Sequence, residues 1–421
     1  MSIILVSIFG VWLAVVLLVF GGYYRKALHT LWREPMLRHP VLVFESDDWG
    51  PGKEEQARQL GYLIETLQAY QDAWGRHPVM TLGIVLGVPN TEKNKASGLS
   101  AFHRLTLAEP RFQAIRTAMQ RGVEAGVFSL QLHGLEHYWP AALLTVAARD
   151  MAVKEWLTGE PLPDTERLPA ALQSRWIDGS QLPSRPLDER EVEQAAREEV
   201  ALFANIFGFT PAVLVPPTFV WPTAVERGWV AAGGRTVVTP GQRYEARDAA
   251  NKLIPGGPPI HNGDRSPAGM LYVVRNDYFE PAYGHKAEHA LEALLHNNRA
   301  ARPTLLETHR CNFTRDPALA EASLRELRRL LDEVLRRCPD VAFLSTEAIA
   351  QAFGGGDPSL LEDQFSRRVQ AWLQRWRDTS RLWSWAKLTG FAVVIVVLQL
   401  VLRQEMSVGL KGDAMEGGRN D

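Results

Sequence analysis

The residues able to do chemistry fall into four short clusters, each directly after an apolar run. Glu45-Ser46-Asp47-Asp48-Trp49-Gly50 is the first. Adjacent carboxylates are costly unless a cation or proton is shared, so one can hold a metal while the other stays free as a base. A turn or helix N-cap is the competing reading of the same residues. His133-Gly134-Leu135-Glu136-His137 is the second, and His at i and i+4 can aim both imidazoles at one point, as in zinc sites. Glu307-Thr308-His309-Arg310 is the third; a lone His titrating near neutrality suits a general acid, or a hydrogen-bonded structural role. Arg275-Asn276-Asp277 with Glu280 is the fourth, able to bind hydroxyl or acyl oxygens or to form a structural ion pair. Two His and one carboxylate leave positions open on a divalent metal. Zn²⁺ suits that donor set, with Fe²⁺, Co²⁺ and Mn²⁺ as alternatives. Such an ion activates water and polarises a carbonyl, which is amide or ester hydrolysis chemistry.

Groups of this kind gather at the carboxyl ends of parallel strands. The pattern predicts strands at 41–45, 80–86, 127–133, 212–215, 235–238, 270–274, 304–308 and 341–344. It predicts helices at 54–74, 110–125, 188–207, 286–299 and 317–337, with Asp188 as an N-cap. This alternation argues for one parallel α/β barrel or sheet domain over 40–355. Residues 158–186 carry five prolines and read as an irregular insertion; 255–267 is a second loop. Long loops of this kind often serve as lids or binding loops.

Both ends of the chain are apolar. Residues 3–24 lack a basic start and a small-x-small cleavage site, so they read as a retained transmembrane helix. Residues 388–402 read as a second span between Lys387 and Arg403, with Trp383 and Trp385 at the interface. Before it, 359–387 forms an amphipathic stretch with Leu361, Phe365, Val369, Trp372 and Trp376 on one stripe, suited to a membrane surface. Arg25, Lys26, Arg33 and Arg38 follow the first span; Arg367, Arg368, Arg375, Arg377, Arg381 and Lys387 precede the second, against Arg403, Lys411 and Arg419 after it. These flanks place the middle in the cytoplasm of a cell bound by a bacterial inner membrane. With 46 basic and 48 acidic residues there is no positive excess to recruit nucleic acid. Cys311 and Cys338 match no zinc spacing and read as ordinary thiols.

In this order the motifs resemble the polysaccharide deacetylase family, the NodB-like carbohydrate esterases. Ser46-Asp47-Asp48 is similar to its Thr-Phe-Asp-Asp motif, and His133 to His137 to His-Ser/Thr-x-x-His. Val215-Pro216-Pro217 is similar to its Pro-rich motif, and the segment ending at His309 to Leu-x-His. The resemblance covers about residues 40–350 and implies an α/β fold, a distorted (β/α)7-type barrel, here between N- and C-terminal transmembrane helices. It implies that Asp47 is the base, that Asp48, His133 and His137 hold the metal, that His309 protonates the leaving amine, and that Pro217 lines the groove. Trp49 and Trp139 offer faces for sugar stacking, and Arg275, Asn276 and Arg310 complete the substrate-binding set. The chain departs from the pattern at three places: Gly134 replaces a hydroxyl residue, Val215 an arginine that tunes the base, and Arg310 an acidic residue. Arg275 or Arg310 would supply the missing cation from another strand. The expected function is metal-dependent removal of acetyl groups from an N-acetylated sugar of a surface polysaccharide or lipid-linked glycan, at a membrane. The alternatives are a non-catalytic glycan-binding or assembly protein, and a metal-independent glycoside hydrolase. The last would pair Asp47 or Asp48 with Glu136 or Glu307, since it needs two carboxyls roughly 5–9 Å apart. Oligomeric state is left open.

Overall fold

Short runs rich in Val, Leu and Phe, buried on both faces, are what a parallel sheet covered by helices requires. The computed structural model describes residues 2–402. They form two units: one of 40–295 with 303–356, the other of both chain ends with 296–302. The first is built on a nine-stranded sheet, all of whose pairings are parallel. Its strands are β1 (Val41–Trp49), β2 (Met80–Ile84), β3 (Phe128–Leu132), β4 (Val213–Leu214), β5 (Thr236–Thr239), β6 (Leu271–Val274), β7 (Asp277–Tyr278), β8 (Thr304–His309) and β9 (Ala342–Phe343). Their order is β6-β5-β4-β3-β2-β1-β8-β7, with β9 also on β1.

β6 and β7 sit at opposite ends of that order, yet only Arg275 and Asn276 separate them. Three Cα steps reach about 11 Å at most. A flat sheet would hold its outer strands about 34 Å apart. The sheet is therefore rolled, with β6 and β7 sharing one position, and seven positions result. This fits the distorted (β/α) barrel expected from the sequence. Helices Glu55–Gln68, Gln113–Glu124, Glu189–Phe207, Thr223–Ala231, Ala287–Arg299 and Pro317–Arg337 make the crossovers. Their apolar faces, with Leu60, Leu63, Met119, Phe203, Leu327 and Leu331, are buried in one core with Phe44, Met80, Leu82, Leu130 and Leu306 from the strands. Each such side chain contributes roughly 1.5–3 kcal/mol on burial.

The main boundary difference is at β1, which runs to Trp49 because its polar end is paired on both sides, by β2 and β8. Asp188 caps its helix by accepting from the N–H groups of Arg190 and Glu191. Within 158–186 lie two short 3-10 turns and a two-residue pairing of Ile177–Asp178 with Arg185–Pro186.

In the second unit, Ile4–Tyr23 is the one helix among the described residues long and apolar enough to cross a membrane by itself. The expected second span at 388–402 is not part of one straight helix: helices Ser380–Leu388 and Phe391–Leu402 meet at a 108° bend. Gly390, with φ +74°, adopts the left-handed conformation that ends the first of them. Composition sees the apolar run but not this turn. The amphipathic stretch is likewise two helices, Phe365–Asp378 and Ser380–Leu388. Its Trp372 and Trp376 pack with Phe20, Leu28 and Leu31, so only part of the predicted stripe, Phe365 among it, faces outward. Arg403, Lys411 and Arg419 lie outside the described residues.

Candidate active site

Side chains alternate along a strand, so Glu45 and Asp47 share a face. Both meet the buried Arg275: its Nη2 is 2.6 Å from Glu45 Oε2 and its Nη1 2.6 Å from Asp47 Oδ2. Glu307 Oε2 is a third partner at 3.3 Å. Simple alternation would turn Asp48 away. A register shift between Ser46 and Trp49, with Asp48 at φ +72°, turns it to the same mouth. Such a backbone costs on the order of 1–2 kcal/mol for a residue with a Cβ, a strain typical of functional positions. Trp49 Nε1 donates to Ser46 Oγ at 2.8 Å and pins the bulge. On β2, a Cβ at Gly83 would stand 2.3 Å from Asp47 Oδ1, so glycine there makes room for the carboxylate.

His133, just past β3, has Nδ1 2.9 Å from the Val215 carbonyl. That partner requires Nδ1–H and leaves the Nε2 lone pair free, 3.5 Å from Asp48 Oδ1. His137 Nε2 lies 3.0 Å from the same oxygen. The ligand atoms of Asp48, His133 and His137 all fall within 4.8 Å of one another. Despite that proximity, Asp48 Oδ1 and His137 Nε2 are buried with no hydrogen-bond partner. Orphaned buried polar atoms are costly. Two imidazole nitrogens and a carboxylate oxygen converging in this way fit a divalent ion such as Zn²⁺. Burial holds His137 below its usual range against the pull of Asp48. Burial opposes the Asp48 charge, but His137 and His133 outweigh it and hold that carboxyl well below the usual range.

The His133–His137 loop is held by a buried charge network that sequence reading missed. Gly134 has φ +92°, a conformation that favours glycine. The Leu135 N–H donates to Glu199 Oε2 at 2.9 Å. Arg175, from the 158–186 insertion, bridges Glu199 (3.0 Å) and Glu136 (2.7 Å), and Arg104 takes the other Glu136 oxygen at 2.5 Å. With no exposure and both oxygens engaged, Glu136 is no glycosidase acid. A charged residue between the two histidines was the available signal; its partners are too distant in sequence to be read.

β1 and β8 run in register, pairing Asp47 with His309. His309 Nδ1 bonds Glu280, which also accepts from the fully buried Asn312. Burial disfavours the charged imidazole, but the bond to Glu280 and the charges of Asp48, Glu280 and Asp47 push its pKa up to about 10. For Asp47, burial pushes upward, while Arg275 and His133 pull harder and leave it below its usual value. The cation missing at Val215 is thus matched by Arg275 at the Asp47 carboxylate, and Val215 supplies only its carbonyl.

The mouth opens into a groove of about 900 Å³ lined by Asp47, Asp48, His133, His137, His309 and Arg310, among others. Residues 160–167 of the insertion form one wall, where Glu166 pairs with Arg315. Arg310 donates to Gln56 at 3.2 Å. The other expected substrate contacts are corrected. Trp49 is fully buried and offers no face to a sugar. Trp139 packs against the satellite core around Tyr138 and does not line the groove. Arg275 lies beneath Asp47, shielded from solvent. Asn276 holds backbone, donating to the Pro303 carbonyl and accepting from the Leu305 N–H. Pro217 is buried, while its neighbours Pro216 and Thr218 reach the groove.

No protein-family model matches this chain, and no curated protein matches it. Solved structures resemble it in outline. T48 deacetylase, determined with substrate, is 12% identical, with 77% of this chain and 94% of that one covered and a TM-score of 0.35. A family 4 acetyl xylan esterase from Clostridium thermocellum in complex with cobalt is 9% identical, covering 76% and 94%, with a TM-score of 0.37. A 4-alpha-glucanotransferase from Thermococcus litoralis is also 9% identical, covering 74% and 40%, with a TM-score of 0.38. At such scores the likeness is one of general outline, and the functional case rests on the site itself.

Proposed function

We propose that the chain is a metal-dependent hydrolase that removes the acetyl group from an N-acetylated sugar of a surface or lipid-linked glycan. The observation that carries this reading is one groove floor. There, three converging donors share a groove with a carboxylate clamped by arginine and an imidazole clamped by a carboxylate. Asp48, His133 and His137 would hold the ion. When bound, it would lower the pKa of water toward ~7 and polarise the amide carbonyl. Asp47 accepts the proton of the attacking water, and Arg275 fixes its orientation and keeps it ionised. His309, protonated through Glu280, delivers a proton to the departing sugar nitrogen. The groove of about 900 Å³ and the candidate span at 4–23 favour a glycan held near a membrane.

The test is metal content and acetate release of the full chain beside Asp47→Asn and the double variant His133→Ala/His137→Ala. The reading expects near one equivalent of zinc or an iron-group metal in the parent and its loss in the double variant. It expects Asp47→Asn to keep the metal while turnover of acetylated sugars falls by about 10²–10⁴. A parent that binds no metal after reconstitution sinks it.

A further inference from the structure

The apolar end of the chain turns back on itself. Helices Ser380–Leu388 and Phe391–Leu402 are about 13 and 18 Å long at ~1.5 Å per residue, against a hydrocarbon core of about 30 Å. Neither can cross alone, and the 108° bend keeps them from crossing as one rod. The tip of the bend meets the candidate span near its middle: Trp12 Nε1 donates to the Thr389 carbonyl at 2.7 Å. That carbonyl is one the turn frees from its helix. In hydrocarbon every such group needs a protein partner, and the indole supplies it. The base is closed by Arg377 Nη1 on Gln399 Oε1 at 3.0 Å. It sits beside Trp376, whose ring lies 5.1 Å from Phe20, eight residues and about 12 Å along the first helix from Trp12. Leu382, Ala386 and Ile395 face inward, while Leu388, Val393, Val397 and Leu400 are 51–75% exposed. The outer surface of helix 4–23 is equally bare, with Ile4, Val6 and Leu18 exposed, so one apolar surface continues from the span onto the bent pair.

We propose that residues 380–402 form a re-entrant hairpin whose partner is the acyl region of one bilayer leaflet. It enters from the side that holds the 40–356 unit and returns residue 402 to that side. No other candidate span lies between 24 and 379 among the described residues, so that stretch stays on one side. Lys387, close to the tip and exposed, limits the depth. A charge at the bilayer centre costs about 2.5–3.5 kcal/mol, and the lysine stem lessens that cost by carrying its ammonium toward the interface. One consequence is that Arg403, Lys411 and Arg419 add to the basic flank of the barrel side rather than opposing it. This topology is independent of the chemistry proposed above.

The experiment is cysteine labelling of the full chain in sealed vesicles of both orientations, with an impermeant maleimide and with Cys311 and Cys338 replaced by serine. Single cysteines report three places: Ser2→Cys, Glu189→Cys in the barrel unit, and Lys411→Cys beyond the hairpin. The expected result is that Glu189→Cys and Lys411→Cys label from one side and Ser2→Cys from the other. Lys411→Cys labelling together with Ser2→Cys means a full second crossing and overturns the proposal. Val393→Cys should label from neither side until detergent is added; free labelling overturns the embedded hairpin. If a substitution impairs folding, an epitope after residue 421 in the otherwise unaltered chain, probed by protease from each side, separates the same two topologies.

Discussion

Arg275 and Arg375 are both almost wholly buried, and they are buried for opposite purposes. Arg275, at the barrel mouth, faces three carboxylates: Glu45, Asp47 and Glu307. Burial works against its charge, but those partners hold its pKa well above the usual value. Arg375, in the other unit, spends its donors on backbone, reaching the carbonyls of Leu31, Glu34, Pro35, Ala300 and Ala301. Its nearest carboxylate oxygen, on Glu34, is 3.4 Å away. There burial prevails over Glu34, and its pKa falls to about 10. The same side chain orders reactive charge in one place and staples chain segments in the other. The type and number of facing oxygens decide which.

Arg275→Met gives the largest expected effect. Removing one partner of a buried pair leaves carboxylates uncompensated, at a cost of about 3–5 kcal/mol. Acetate release per folded molecule should also fall by more than about 10², because Asp47 loses both its orientation and its ionising partner. Thermal unfolding and kinetics on the same sample separate the two. Full turnover in the folded fraction would make Arg275 a staple like Arg375 and erase the contrast.

Arg375→Met sharpens the comparison from the other side. It leaves buried carbonyls without donors and should cost about 3 kcal/mol, read as a lower unfolding midpoint and less folded protein. Turnover per folded molecule should be unchanged. A fall in kcat at full occupancy would show that the second unit bears on turnover as well as on stability.

These two residues also mark what the sequence could disclose. The apolar runs, the alternation with helices and the order of the Asp-Asp and His-x-x-x-His motifs were legible, because each is a local pattern. Arg275 was legible only as one of two candidate cations for Asp47, 228 residues away along the chain, and its further partners Glu45 and Glu307 were not. Glu45 was legible in principle, two positions before Asp47 on one strand face. The turning of Asp48 was not, because a bulge depends on pairing with β2. Trp49 and Trp139 misled because aromatic type says nothing about burial. The C-terminal apolar run was legible, but hydropathy is blind to the turn at Thr389-Gly390 that bends it.

A carboxylate holds His309 as Arg275 holds Asp47, with the charges reversed. The raised pKa of His309, about 10 against 6.5 for a free imidazole, means that the folded state binds the extra proton between those values. Its stabilising contribution is therefore complete below pH 6.5 and is lost as pH rises toward 10. In Glu280→Gln the charge that raises this pKa is removed. The alkaline fall in acetate release should move to lower pH, and the decline in stability between pH 6.5 and 10 should flatten. A profile that keeps its alkaline limit would mean that the proton donor is not His309.

The smallest effect is expected at Trp49→Phe. The substitution keeps most of the buried ring and deletes one hydrogen bond, that to Ser46 Oγ, worth about 1 kcal/mol. Overall stability should barely change. The bulge that turns Asp48 toward the histidines would lose its pin, however, while Asp47 would keep Arg275. Metal affinity should fall more than kcat at saturating metal, which a metal titration of turnover resolves. Equal loss of both would mean that Trp49 supports the whole mouth, Arg275 included, rather than the bulge alone.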